Sequence, residues 1–415
     1  MFKFLLIYCQ ANITKVCLYG FISGLSLLLS GNTINFWLAS VGINTKIIGF
    51  FSCIALPYAL KYLIAIFIEH RSLIYLSKKV GHHKSWLVLS QLIISLILVF
   101  MSNLIPENNL ALIAASGFFI SLFSVITDVI LNANRIKILD SYQQPVGTAM
   151  YNLGYRLGML LSGAGVIYAS VSLSWQVIYS LLASLYIALA LILSLIYKEP
   201  KHKEPESIIN NRSIWYNIFI KPFEHFMSIN NFIWIAIFIL LYRLSDNMLA
   251  IMLNPFLIHL KFSAEEIATI SKFFGTLMVI VGSLISAPLI NKLKIRNSLI
   301  SFSLFHILGH CLFIFLNFTG KNIQLLYFIT GYEALTGGMV MTAYIYFISG
   351  LCKGKHVATQ YALLSSGIGL SRVIFPMSSG LIVSDYGWFM FFLSIILLSM
   401  IAIIFTILMP KQLYK

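Results

Sequence analysis

Eight ionisable side chains fall inside stretches otherwise built of Leu, Ile, Phe, Val and Ala: Lys61, Asp128, Arg156, Arg243, Asp246, Lys272, Glu333 and Arg372. A charge at membrane depth is costly, so such residues normally face a bundle interior or a water-filled path. The set holds more cations than anions, and a cavity with that balance attracts an anionic solute because low-dielectric walls strengthen the field. The competing reading is that these groups are interhelical ion pairs that lock a bundle. Two of them are framed alike. Arg156 sits in GTAMYNLGYRLGMLLSGAG and Arg372 in ATQYALLSSGIGLSRVIFPMSSG, each after a turn or two of small and polar residues, with Trp175 or Trp388 beyond. Related copies in two halves of a chain point to a transporter built by duplication.

Asp128, in SVITDVILNANRIKIL, is the first candidate for proton handling. Arg156 lies on the next helix, and an acid beside a movable cation has its protonation switched by that cation's position. Asn132 and Arg135 follow at helical spacing and share a face with Asp128. YRLSD places Arg243 and Asp246 at i,i+3, either as a helix-internal ion pair or with Arg243 contacting substrate. Glu333 reads as an isolated acid and a second proton candidate; Lys61 and Lys272 read as isolated cations. Tyr151 and Tyr155, one turn apart beside Arg156, suit stacking on a sugar ring or simple packing. His306 and His310 share a face at i,i+4, but no third ligand is evident nearby, so no metal site is expected. No histidine is expected among the embedded charges. Five scattered cysteines give neither a disulfide framework nor a zinc site, and no cofactor motif occurs. Gly154, Gly158, Gly163, Gly165, Gly367 and Gly369 are suited to close helix contact.

The elements that position these residues are read from hydropathy. The chain is 59% hydrophobic and 10% charged, which excludes an ordinary soluble domain. Twelve stretches are long enough to span a bilayer, at about 14–39, 46–69, 86–105, 110–134, 146–170, 175–197, 231–257, 264–290, 297–318, 322–350, 356–382 and 387–409. The fold class is therefore an all-α membrane protein. The net charge of +15 is concentrated in the even-numbered connections and the C-terminus, while the odd-numbered ones carry only Lys46, Lys261 and Lys321. That asymmetry places both termini in the cytoplasm and removes the case for a nucleic-acid partner. The polar stretch 198–230 separates a six-helix half, 1–197, from a second, 231–415. Asn35–Gly49 (NFWLASVGINTKIIG) and Asn254–Ala268 (NPFLIHLKFSAEEIA) echo each other at matching places in the halves. Two six-helix halves around a charged central loop form the plan of the major facilitator superfamily.

Longer motifs narrow the family. PYALKY (57–62), LGYRLGMLLSG (153–163), LYRLSD (241–246), FSAEEIATISKFFG (262–275) and the run from Glu333 through ATQYALLSS to Arg372 together resemble the AmpG-type muropeptide permeases along essentially the whole chain. The resemblance implies proton-coupled import of anhydromuramyl-disaccharides, with or without peptide, across the bacterial inner membrane. These solutes are anionic sugars, in keeping with a cationic interior. Family members carry a second acid where this chain has Asn132 and an aspartate where it has Glu69. The loop after the second span, HRSLIYLSKKVGHHK, is longer and less arginine-rich than is usual. Another organic anion, such as a coenzyme A ester or an amino sugar, remains an alternative substrate. A membrane-embedded acyltransferase is the alternative of another class; no His is followed five residues later by Asp. No GxxxxGK[ST] loop for an ATP-driven pump occurs either. The expected partners are a small anionic solute, protons and lipid, with the protein acting as a monomer.

Overall fold

A computed structural model describes residues 7, 8, 10–43, 51–71, 73, 77, 80–197, 232–352, 357–373 and 377–414. Among them there is no strand. The central polar stretch lies outside the described residues.

The N-terminal helices are α1 (Ala11–Leu28), α2 (Lys61–His70), α3 (His82–Ser102), α4 (Leu110–Ile138), α5 (Gln144–Leu160) and α6 (Trp175–Ile196). The C-terminal helices are α7 (Phe232–Leu241), α8 (Leu244–His259), α9 (Gly275–Leu293), α10 (Ile295–Thr319), α11 (Ile323–Leu351), α12 (Val357–Val373) and α13 (Met377–Leu408). Local chemistry sets several ends. Ser174 accepts from the Val177 N–H ahead of α6, and Asn322 accepts from the Leu325 N–H ahead of α11, satisfying donors that a helix start leaves open. Gly387, at φ 79°, breaks α13 into two helical pieces, a conformation that glycine adopts without steric cost.

Nine helices among the described residues are long and apolar enough to cross a membrane. The expected spans 46–69, 146–170 and 356–382 are not among the nine. They carry Lys61, Arg156 and Arg372 and are helical over most of their described length.

Packing is tightest where side chains vanish. α1 and α5 cross at Gly20, Gly24, Gly154 and Gly158; a Cβ on Gly154 would lie 1.8 Å from the Cys17 carbonyl oxygen. α9 and α11 approach as closely at Gly282 and Gly338. The seam between N- and C-terminal helices is formed chiefly by α2, α4 and α5 against α9, α11 and α12.

Several polar bonds cross this seam at the basic end of the bundle. Tyr8 OH donates to the Leu284 carbonyl at 2.6 Å, and Asn291 donates to the Tyr142 carbonyl at 3.1 Å. Thr359 donates through its N–H and its hydroxyl to the two carboxylate oxygens of Glu69, at 3.2 and 2.6 Å.

Candidate functional site

Five of the eight embedded charges, Lys61, Asp128, Arg243, Asp246 and Glu333, fall in two polar centres. The first is built on α4. Asp128 Oδ2 accepts from Lys61 Nζ of α2, while Oδ1 accepts from Asn132 Nδ2 and Tyr151 OH, each at 2.9 Å. Lys61 and Asp128 are only 12% and 14% exposed. Lys61, which the sequence suggested was isolated, is therefore paired with Asp128. Asn132 lies one turn from Asp128 on α4, as its spacing suggests. A carboxylate at that position would face Asp128 with like charge; the Asn132 amide donates instead.

Arg135, beyond Asn132 on α4, is fully buried. Its guanidinium donates to Thr148 Oγ1 of α5 and to Ser349 Oγ of α11, both at 2.8 Å. It also lies 5.3 Å from the Tyr151 ring and 5.7 Å from the Tyr361 ring of α12, and Lys61 Nζ is 5.6 Å from the same Tyr361 ring. The first centre thus reaches across the seam. Its spacing puts Arg135 on the face of Asp128, but its burial and its partner 214 positions away have no local signal. Tyr151 and Tyr155 stack with ring centroids 6.2 Å apart, but Tyr151 also uses its hydroxyl on Asp128. Arg156, half-buried on α5, engages partners of its own. A turn before it, Asn152 donates to Thr342 of α11 at 3.2 Å.

The second centre is built on a helix break. α7 ends at Leu241, and Arg243 (φ −110°, ψ 10°) caps the start of α8. The expected ion pair thus straddles this break. Arg243 Nη1 lies 2.6 Å from Asp246 Oδ2, yet neither atom makes a well-aligned hydrogen bond, so the contact is coulombic. Asp246 in the first turn also meets the positive end of the α8 dipole. Its Oδ1 faces α10: His306 Nε2 at 2.8 Å and His310 Nε2 at 3.7 Å.

This overturns the expectation that no histidine lies among the embedded charges, and it supplies the third group that the histidine pair lacked in sequence. Glu333 is not isolated either. Its backbone packs against Gly309, between the two histidines on α10, and its carbonyl accepts from Thr336 Oγ1 at 3.0 Å.

Lys272 stands in the π-helical turn Ala268–Phe274 before α9, and Arg372 on α12. Their side chains lie outside the described residues. The backbone at Arg372 is fixed by its buried neighbour Ser371, which donates to the Leu240 carbonyl at 2.8 Å and bonds Asn247 at 3.2 Å.

Comparison with known proteins decides the family. The profile of the Major Facilitator Superfamily matches residues 16–332, and relatives named as transporter AmpG 1 match nearly the whole chain. That of Rickettsia bellii (strain RML369-C) is 40% identical over 385 residues, covering 92% of this chain and 94% of the relative. That of Rickettsia conorii (strain ATCC VR-613 / Malish 7) is 41% identical over 395 residues, covering the same shares. The chain belongs to the Major Facilitator Superfamily, among its AmpG-type members.

Solved structures agree on the fold. The fucose transporter FucP in its outward conformation superposes with a TM-score of 0.69 at 12% identity, over 97% of this chain and 100% of its own. The human organic anion transporter MFSD10 gives 0.68 at 14% identity, over 95% and 99%. This is a multi-pass membrane transporter.

Proposed function

We propose that this transporter imports anhydro-muropeptides into the bacterial cytoplasm with protons, by alternating access between two six-helix halves, 1–197 and 231–415, joined by 198–230. It sits in the inner membrane as a monomer, with both termini cytoplasmic by its charge asymmetry. The observation that carries the coupling is the first polar centre. Asp128 and Lys61 form a nearly buried pair on the N-terminal helices, while Lys61 also faces Tyr361 on the C-terminal ones. A proton on Asp128 removes the charge that holds Lys61, so protonation and the seam are mechanically linked. Glu333 is the corresponding acid of the C-terminal helices.

The substrate class is supported by the AmpG-type resemblance and by the names of the relatives. Arg156, Arg372, Lys272 and Arg243 supply cationic contacts for a carboxylate, with Asp246, Lys61 and Asn132 holding their neighbours in place. Tyr151 and Tyr155 offer ring faces to a sugar.

The test is uptake of radiolabelled N-acetylglucosaminyl-anhydro-N-acetylmuramic acid into right-side-out vesicles, with and without an inward proton gradient. The parent is expected to accumulate the sugar only with the gradient, and Asp128→Asn to lose that response. An inserted parent that takes up none of it would exclude the muropeptide and direct the search to coenzyme A esters or amino sugars.

A further inference from the structure

The hydrogen-bond inventory around Asp246 has room for one more proton. Thr336 Oγ1 carries a single hydrogen, yet three acceptor positions surround it: the Tyr332 and Glu333 carbonyls at 2.9 and 3.0 Å, and His306 Nδ1 at 2.8 Å. When the hydroxyl hydrogen points to His306, the imidazole is neutral, with its one N–H on Nε2 donating to Asp246 at 2.8 Å. When it turns to a carbonyl, the hydroxyl oxygen accepts from Nδ1–H, and His306 is an imidazolium that donates at both nitrogens. The two states differ by one proton and one hydroxyl rotation, with no heavy atom displaced.

His310 repeats the motif one turn on. Ser399 Oγ of α13 donates to the Ile395 carbonyl at 2.9 Å and lies 3.4 Å from His310 Nδ1. An Nδ1–H that donates to this oxygen leaves the Nε2 lone pair directed at Asp246 Oδ1, 3.7 Å away, fully buried and without a hydrogen-bond partner. A buried nitrogen facing a carboxylate oxygen in this way is an open proton position.

Three charged groups surround the pair. α8 presents Asp246, with Arg243 at its N-cap, α11 presents Glu333, and α13 presents only the Ser399 hydroxyl. The three donor atoms lie within 4.8 Å of one another, a spacing that a divalent cation also uses. Arg243, 2.6 Å from the other carboxylate oxygen, opposes a dication far more than it opposes a single added charge.

We propose that the His306–His310 pair seated on Asp246 is a proton-binding site of the C-terminal helices. It holds one exchangeable proton, at His306 Nδ1 or His310 Nε2. Its role in transport rests on the proton-driven reading above; its existence as a proton site does not.

Ring-nitrogen NMR of the full chain, labelled with ¹⁵N-histidine in lipid nanodiscs, tests it directly. Across about pH 5 to 8, the range in which histidines titrate, one set of imidazole signals belonging to this pair, among those of the nine histidines, is expected to move from imidazolium to neutral. That set should vanish in His306→Gln or His310→Gln and change its midpoint in Asp246→Asn. Signals of both histidines that stay in one protonation state throughout would overturn the proposal. The same sugar-uptake assay then reads coupling: uptake by His306→Gln should no longer rise with the gradient, and a parent-like rise would overturn the coupling role. A parent that moves no sugar defeats the import reading alone, because the titration still decides the site.

Discussion

Asp128 and Lys61 are each other's condition for being inside the bundle. Removing one member of a buried pair strands the other charge and costs about 3–5 kcal/mol, whereas replacing both with apolar groups is often neutral. Asp128→Asn is therefore expected to lower the thermal stability of the purified protein, and the double change Lys61→Met with Asp128→Leu to recover most of it. A double variant that melts no higher than the single one would show that the pair is not what holds this centre. Neither variant should accumulate sugar, so stability and coupling separate at these two residues. The second centre differs in kind. Asp246 has three basic neighbours in Arg243, His306 and His310, among which charge can be redistributed.

At the level of elements, the glycines of α1 and α5 decide how closely these two helices pack. Gly154 leaves no room for a Cβ, whereas a Cβ on Gly31, in the π-helical turn Leu29–Thr33, would meet nothing within 4 Å. Gly154→Ala must push α1 and α5 apart. Overpacking of this kind costs roughly 1–3 kcal/mol, and more where backbone is the obstacle. Its melting temperature and yield of folded protein are expected to fall well below those of Gly31→Ala, and equal values would contradict the contact. The π-helical turns after Arg156 (Leu161–Gly165) and around Lys272 (Ala268–Phe274) belong to the same scale. An extra residue per turn re-aims neighbouring side chains, and such turns concentrate at functional sites.

Across the whole molecule, four bonds among the described residues cross the seam toward the basic end, Glu69 to Thr359, Arg135 to Ser349, Asn291 to Tyr142 and Tyr8 to Leu284, while Asn152 to Thr342 lies deeper. Under the alternating-access reading they hold that end shut in this state. Arg135→Lys keeps a charge but loses the fork that reaches Thr148 and Ser349 together. A hydrogen bond to a charged group is worth about 1.5–3 kcal/mol, so combining Arg135→Lys with Glu69→Gln should raise the population open at this end by tenfold or more. Pulsed EPR between spin labels at the exposed positions 140 and 292 should then show a longer distance component. An unchanged distribution would mean that these bonds are not the closure.

Much of this was legible in sequence, for reasons of range. Hydropathy and the placement of lysine and arginine act through the local chain and the membrane, so the helical class, the membrane location and the superfamily follow from residue order. The acids and cations stood out because nothing near them in sequence resembles them. Their partners were not legible. Asp128 finds Lys61 67 positions earlier, Asp246 finds His306 60 positions later, and Arg135 finds Ser349 214 positions later. The spacing of His306 and His310 announced a shared helix face, but not that the face points at Asp246 across a broken helix. The sequence by itself determined which charges the bilayer would have to tolerate. Only the tertiary structure decided which partners make each one tolerable, because pairing energy falls off within a few ångströms and depends on which helix faces meet.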